Sequence, residues 1–147
     1  MEDSELLHAA QDAATQPLAP GKPKVAFLFV TRQTIPLEQV WERFFAGADS
    51  EAYSIYTHQS QGVREFPNTS VFYNTSVPSK EVKRFSISLV DVLRRLLAFA
   101  LLDGARANMW FVLVSDACIP VRSFPFVYQY YMNSTTSFVE AFSVWQK

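Results

Sequence analysis

The sequence predicts an α/β fold, a mostly parallel sheet with helices on both faces. Three features lead there. Several short apolar runs show no polar alternation, as strands buried on both faces require. Stretches with helical apolar spacing separate them, which is the βαβ pattern of a parallel sheet. And each of the principal runs stops at a polar pair, as strand ends do at a ligand-binding edge.

The clearest run is Met109 to Val114, MWFVLV, followed by Ser115-Asp116 and broken at Pro120. Asp116 is the only acidic group that directly follows such a run. It fits a turn cap before Ile119-Pro120 as well as it fits a ligand-binding acid. The first run, Val25 to Val30 (VAFLFV), ends at Thr31-Arg32. A helix is expected from Thr34 to Gly47, with Thr34 as cap and Pro36 in the first turn. Its stripe is Leu37, Val40, Trp41, Phe44 and Phe45, with Glu38, Glu42 and Arg43 turned outward.

Tyr53 to Thr57 is the second expected strand and ends at His58-Gln59. Ser70 to Tyr73, SVFY, is a short third. A second helix spans Ser88 to Leu102, capped by Ser88. Leu89, Val90, Leu93, Leu96, Leu97, Ala100 and Leu101 make its apolar face, and Asp91 pairs with Arg95 at i,i+4. Arg94 and Arg95 are expected on the solvated side. A short helix follows the cap Ser123, with Pro125 in its first turn. Ser137 to Phe142, SFVEAF, is the last expected strand. Residues 1–23 are polar, Ala-rich and closed by Pro17, Pro20, Gly21 and Pro23. They read as a disordered leader or linker, with a transient helix at Glu5 to Ala14.

Composition limits the function. With 147 residues, 49% of them hydrophobic, the chain can bury a core of its own. A net charge of −1 gives no field for nucleic acid or an anionic membrane. Four glycines leave no material for a phosphate cradle of the GxGxxG or P-loop kind, and no GxSxG elbow occurs. His8 and His58 are far apart, and neither HExxH nor Asp-x-Asp is present, so no metal site is expected. At a strand tip, His58 is more often a polar turn residue than a catalyst. Cys118 is the single cysteine, which excludes an intrachain disulfide and suits a small core residue. No apolar stretch reaches the roughly 18 residues that a membrane-spanning helix needs. Asn68, Asn74 and Asn133 open N-x-S/T sequons, which accept glycans in a lumenal chain.

Read together, PKVAFLFVTR, PLEQVWERFFAG, YSIYTHQS, SVFYN-SVPSKEV, ISLVDVLRRLLAFALLD and FVLVSDACIPV-SF-VYQYYMNSTTSFVEAF resemble, collinearly from Lys24 to about Phe142, the N-terminal half of plant-type core-2/I-branching β-1,6-N-acetylglucosaminyltransferase-like proteins. The resemblance implies a GT-A-like, Rossmann-like fold, with residues 24–147 as the nucleotide-binding half of an incomplete domain. It implies an inverting, metal-independent transferase that takes a UDP-sugar donor and a glycan or glycoprotein acceptor. It also implies a lumenal Golgi location through an upstream membrane anchor. Carried onto this chain, the nucleotide-sugar-binding positions are Thr31, His58, Ser115 and Asp116. The catalytic carboxylate, and the basic residues that stand in for a metal, are expected beyond Lys147. Where relatives read Trp-Gly after the SKEV-like segment this chain has Arg84-Phe85, which bears on donor binding. The alternative is a non-catalytic binding or interaction module derived from such an enzyme.

Overall fold

The computed structural model describes residues 2–80, 82, 87–103 and 107–139. Among these residues seven elements follow one another: α1 (Asp3–Ala14), β1 (Lys24–Thr31), α2 (Glu38–Phe45), β2 (Tyr53–Gln59), α3 (Ser88–Leu102), β3 (Asn108–Ser115) and α4 (Phe124–Met132). The strands form one parallel sheet in the order β2-β1-β3. This is the α/β architecture that the unalternated runs and intervening helices predict.

β1 lies in the middle and shows why its run has no polar gap. Its odd positions, Val25, Phe27 and Phe29, face α2 and α4. Its even positions, Ala26 and Leu28, face α3. Successive side chains of a strand point to opposite faces, so both sets must be apolar. The two faces differ in kind. The first is aromatic: Trp41 of α2 meets Phe29 edge-on at 4.9 Å and Phe44 at 5.4 Å, and Phe124 of α4 meets Phe44 at 5.6 Å. The second is aliphatic, with Val92, Leu96 and Ala100 of α3 against Ala26 and Leu28. At the opening of β1, the Tyr128 hydroxyl of α4 donates to the Pro23 carbonyl at 2.8 Å.

Several expectations are corrected. Asp3–Ala14 is a folded helix, not a leader: Leu6 and Ala10 are buried against Ala98 of α3. Its start is fixed by a capping box in which Glu2 takes the cap position and Glu5 the third helical one. Because Glu replaces the usual Ser or Thr, that signal is weak in the sequence. The packing also rotates α3. Val92, Ala98 and Arg95 are buried, while Leu89 and Val90 are exposed. A helix held between a sheet and a second helix buries two faces, not one stripe. Arg95 therefore leaves the solvated side, and Asp91 pairs with Arg94 at 3.9 Å instead.

Ser70 to Tyr73 is a set of turns rather than a strand. The Val71 and Phe72 amides are bonded by the Glu42 carboxylate at 2.8 Å and the Ser70 hydroxyl at 3.1 Å. The Ser70 hydroxyl itself donates to Glu38. Glu38 and Glu42 thus hold this turn, instead of pointing away from the protein. Phe72 is fully buried, edge-on to Phe29 at 5.1 Å. The neighbour of β2 is an isolated bridge at Ser76, opposite Thr57. Helix α2 begins at Glu38, with Leu37 rather than Thr34 in the cap position. Helix α3 is preceded by Ile87, so Ser88 is its first residue and not its cap. Ser137 to Val139 is not strand, and the rest of that expected strand, from Glu140, lies outside the described residues, as do Arg84 and Phe85. Cys118 is exposed, against the expectation of a core thiol.

Candidate functional site

The parallel register sets the three strand ends level. Thr31 lies opposite Gln59, and Val30 lies beside both His58 and Ser115. The tips named from the sequence therefore do converge on one edge of the sheet. They differ in what they present there.

On the β1–β2 side the chemistry is internal. Thr31 is 2% exposed and its hydroxyl donates to the His58 carbonyl at 3.4 Å. The His58 ring is fully buried on the α3 face. Its Nε2 accepts the Lys80 backbone N–H at 3.1 Å, which places the proton of the neutral ring on Nδ1. Nδ1 has no partner. Burial pushes the His58 pKa down, so the ring is neutral near neutrality. Gln59, also buried, ties the surrounding loops together. Its amide nitrogen donates to the carbonyls of Gln33 at 2.5 Å and Arg64 at 2.9 Å, and its carbonyl accepts the Arg64 N–H at 3.0 Å. Gln33 and Arg64 also border a recess of about 300 Å³.

On the β1–β3 side the chemistry is open. Asp116 follows β3 directly, and its carboxylate lies 3.5 Å from Nε of Arg32, which follows β1 by one residue. Arg32 is 73% exposed along its side chain and Asp116 20%. The Arg32 backbone is fixed by the Gln61 N–H, which donates to its carbonyl at 2.8 Å. Ser115 is exposed. Its hydroxyl accepts the Ala117 N–H at 3.3 Å and sits 3.2 Å from the Cys118 thiol. Behind this turn, the Trp41 indole N–H donates to the Cys118 carbonyl at 3.2 Å.

The structure thus joins Thr31 with His58 below the surface and leaves Ser115 with Asp116 at it. Arg32 and Gln59 are the residues that sequence reasoning passed over as site groups. Arg32 was visible as the polar end of a buried run, but its partner depends on β3 lying next to β1, which no local pattern encodes. Among the described residues, no group of three His, Cys, Asp or Glu side chains could hold a metal ion. No helix among them is long and apolar enough to cross a membrane. Asn68, Asn74 and Asn133 are all exposed.

The model of the core-2/I-branching enzyme family matches residues 25–146, from β1 through the whole sheet and its tips. The chain belongs to the core-2/I-branching enzyme family. It is 39% identical over 139 residues to the Glycosyltransferase BC10 of Oryza sativa subsp. japonica. That alignment takes in 92% of this chain and 34% of the rice protein, so the chain spans about a third of the length of the curated relative it matches. No solved structure matches the chain. The family is one of glycosyltransferases. The core-2/I-branching match begins at the first residues of β1, so α1 and the proline-containing connection lie outside it.

Proposed function

We propose that this core-2/I-branching chain supplies the nucleotide-sugar-binding part of a Golgi-lumenal glycosyltransferase, with a UDP-sugar as donor and a glycan or glycoprotein as acceptor. The observation that carries the reading is the Arg32–Asp116 pair beside Ser115, at the level C-terminal ends of two adjacent parallel strands. Open α/β sheets bind ligands at that edge. Asp116 and Ser115 are suited to the hydroxyls of a ribose or sugar. A carboxylate facing a diphosphate without a cation is repelled. The exposed guanidinium of Arg32 offsets that repulsion and offers planar donors to phosphate oxygens, so donor binding proceeds without a metal.

Thr31 and His58 act in this reading from beneath. Both are sealed from solvent, so they shape the floor of the donor site rather than form its walls. Among the described tip residues, the carboxylate of Asp116 is already paired and the ring of His58 is inaccessible. Neither is placed to take a proton from an acceptor hydroxyl. Donor binding, rather than the transfer step, is therefore assigned to this chain.

Calorimetric titration with UDP tests the reading, beside the Arg32→Ala and Asp116→Ala variants. Saturable binding that both substitutions weaken is the expected result. Absence of UDP binding to a folded chain, or binding indifferent to both, overturns it.

A further inference from the structure

Three N-x-S/T sequons stand outside the donor reading, and the fold treats them differently. All three asparagines are exposed, so exposure does not separate them. The sequon also requires a hydroxyl two residues on, so a glycosylating enzyme has to reach both groups. That hydroxyl is where the three part.

In Asn68-Thr69-Ser70 it is already engaged. Ser70 donates to the Glu38 carboxylate of α2 and accepts the Phe72 N–H at 3.1 Å, and its own N–H donates to the Pro67 carbonyl at 2.9 Å. Asn74-Thr75-Ser76 lies along β2. The Thr57 N–H donates to the Thr75 carbonyl at 2.8 Å, and the Val77 N–H to the Thr57 carbonyl at 2.9 Å. The Ser76 hydroxyl accepts from that of Thr57 at 3.2 Å. Presenting either segment to an enzyme means peeling a turn from α2 or a bridge from β2.

Asn133-Ser134-Thr135 is held more loosely. Asn133 ends α4, with its N–H donating to the Gln129 carbonyl at 3.0 Å. Among the described residues, neither its side-chain amide nor the exposed Thr135 hydroxyl has a hydrogen-bond partner. Helix ends fray at little cost. Ser134 and Thr135 border a recess of about 800 Å³ along the outer edge of β3, which leaves room for attached sugars. The position is also clear of the donor edge. Tyr128 reaches Pro23 at the opening of β1, and Tyr131 lies on Trp110, which is level with Val25. From Val25 to the Thr31 tip the strand runs about 20 Å.

We propose that Asn133 is the N-glycosylation site of the folded chain. Its Nδ2 displaces a polyprenyl diphosphate from the anomeric carbon of a lipid-linked oligosaccharide. A C–N bond forms, the C–O bond to the diphosphate breaks, the amide gives up one proton and the polyprenyl diphosphate leaves. That the chain meets such a donor rests on the Golgi-lumenal reading. That Asn133, of the three, is free to react rests on the fold. A bulky glycan there leaves Arg32 and Asp116 open.

The test presents the purified full chain, folded, to a single-subunit oligosaccharyltransferase with its lipid-linked oligosaccharide, and reads each site by glycopeptide mass. Short peptides centred on each asparagine run beside it, and all three should be accepted. In the folded chain Asn133 should be modified about tenfold faster than Asn68 or Asn74, the penalty of opening roughly one hydrogen-bonded contact. Asn133→Gln and Thr135→Ala should each abolish that modification; both residues are exposed, so the variants should stay folded. An unmodified Asn133 in the folded chain overturns the proposal, as does faster modification at Asn68 or Asn74, or undiminished modification in Thr135→Ala. So does rejection of the Asn68 and Asn74 peptides, which would make the choice one of sequence rather than fold. UDP is titrated into the glycosylated and unmodified chains, and equal affinity is expected. Affinity lost only on glycosylation overturns the placement away from the donor edge. Should UDP bind neither, the donor reading falls and the Asn133 site remains. Asn133 left bare in the natural protein, but modified in this assay, counts against the lumenal location and leaves the folded-state site standing.

Discussion

The indole N–H of Trp41 reaches 3.2 Å across to the carbonyl of Cys118, and so ties the centre of the aromatic core to the turn that presents Ser115 and Asp116. Trp41 is itself fixed by rings on three sides: Phe27, Phe29 and Phe44 meet it edge-on at 6.3, 4.9 and 5.4 Å. The site turn thereby inherits the rigidity of the core.

Trp41→Phe keeps a ring in that core but loses the donor. The expected cost is about 1 kcal/mol, typical of one hydrogen bond, plus some loss of packing. Amide exchange at Ala117 and Cys118 should accelerate more than in β1. Uniform acceleration through the whole sheet would show that the bond does not govern the turn.

Asp116→Ala should weaken UDP-sugar binding while changing stability by no more than about 1 kcal/mol, since an ion pair whose arginine is exposed to solvent contributes little. Thermal melting and calorimetry on the same sample separate the two effects. An unfolded variant whose folded fraction binds normally would make Asp116 a structural cap.

His58 sets a pH dependence. Burial lowers its folded pKa below the ordinary 6.5. Below 6.5 the unfolded chain takes up a proton that the folded chain resists. The contribution of the buried neutral ring is therefore complete at high pH and is lost as pH falls through 6.5 towards the folded value. The slope from this one group is at most about 1.4 kcal/mol per pH unit. Denaturant melts of the native chain and of His58→Gln, compared between pH 7.5 and 5, should show the native chain losing more. Parallel loss in both would place the acid sensitivity elsewhere.

At the opposite end of the sheet, Asn108 is buried with Nδ2 donating to the Ala100 carbonyl at 2.8 Å and to the Tyr56 hydroxyl at 2.9 Å, while its Oδ1 accepts from Ser54. Burial, and then its bond to Asp103, push the Tyr56 hydroxyl up to about 12. Asn108→Ala strips partners from all three groups and should cost roughly 1–3 kcal/mol. UDP affinity should be unchanged, because this network is at the N-terminal edge. A stability change under 0.5 kcal/mol, about the scale of ordinary surface substitutions, would mean that water replaces the side chain without penalty.

The sequence by itself determined the α/β class, the three strands, the positions of α2, α3 and α4, and the polar ends of the strands. These depend on local periodicity. VAFLFV has no alternation because β1 is covered on both faces, and that is written in the run itself. Tertiary structure alone decided the partners. That β3 pairs with β1 rather than with β2 puts Asp116 beside Arg32. That α1 packs on α3 buries Arg95 and brings it Asp3, 92 residues away in the chain, where helical spacing alone predicts Asp91 as its i,i+4 partner. The same cause denied SVFY its strand: carboxylates of α2 answered its turn through space. Periodicity reports which face of an element is buried. It carries no term for which distant segment buries it, and the charged groups of this chain found their partners by that second choice.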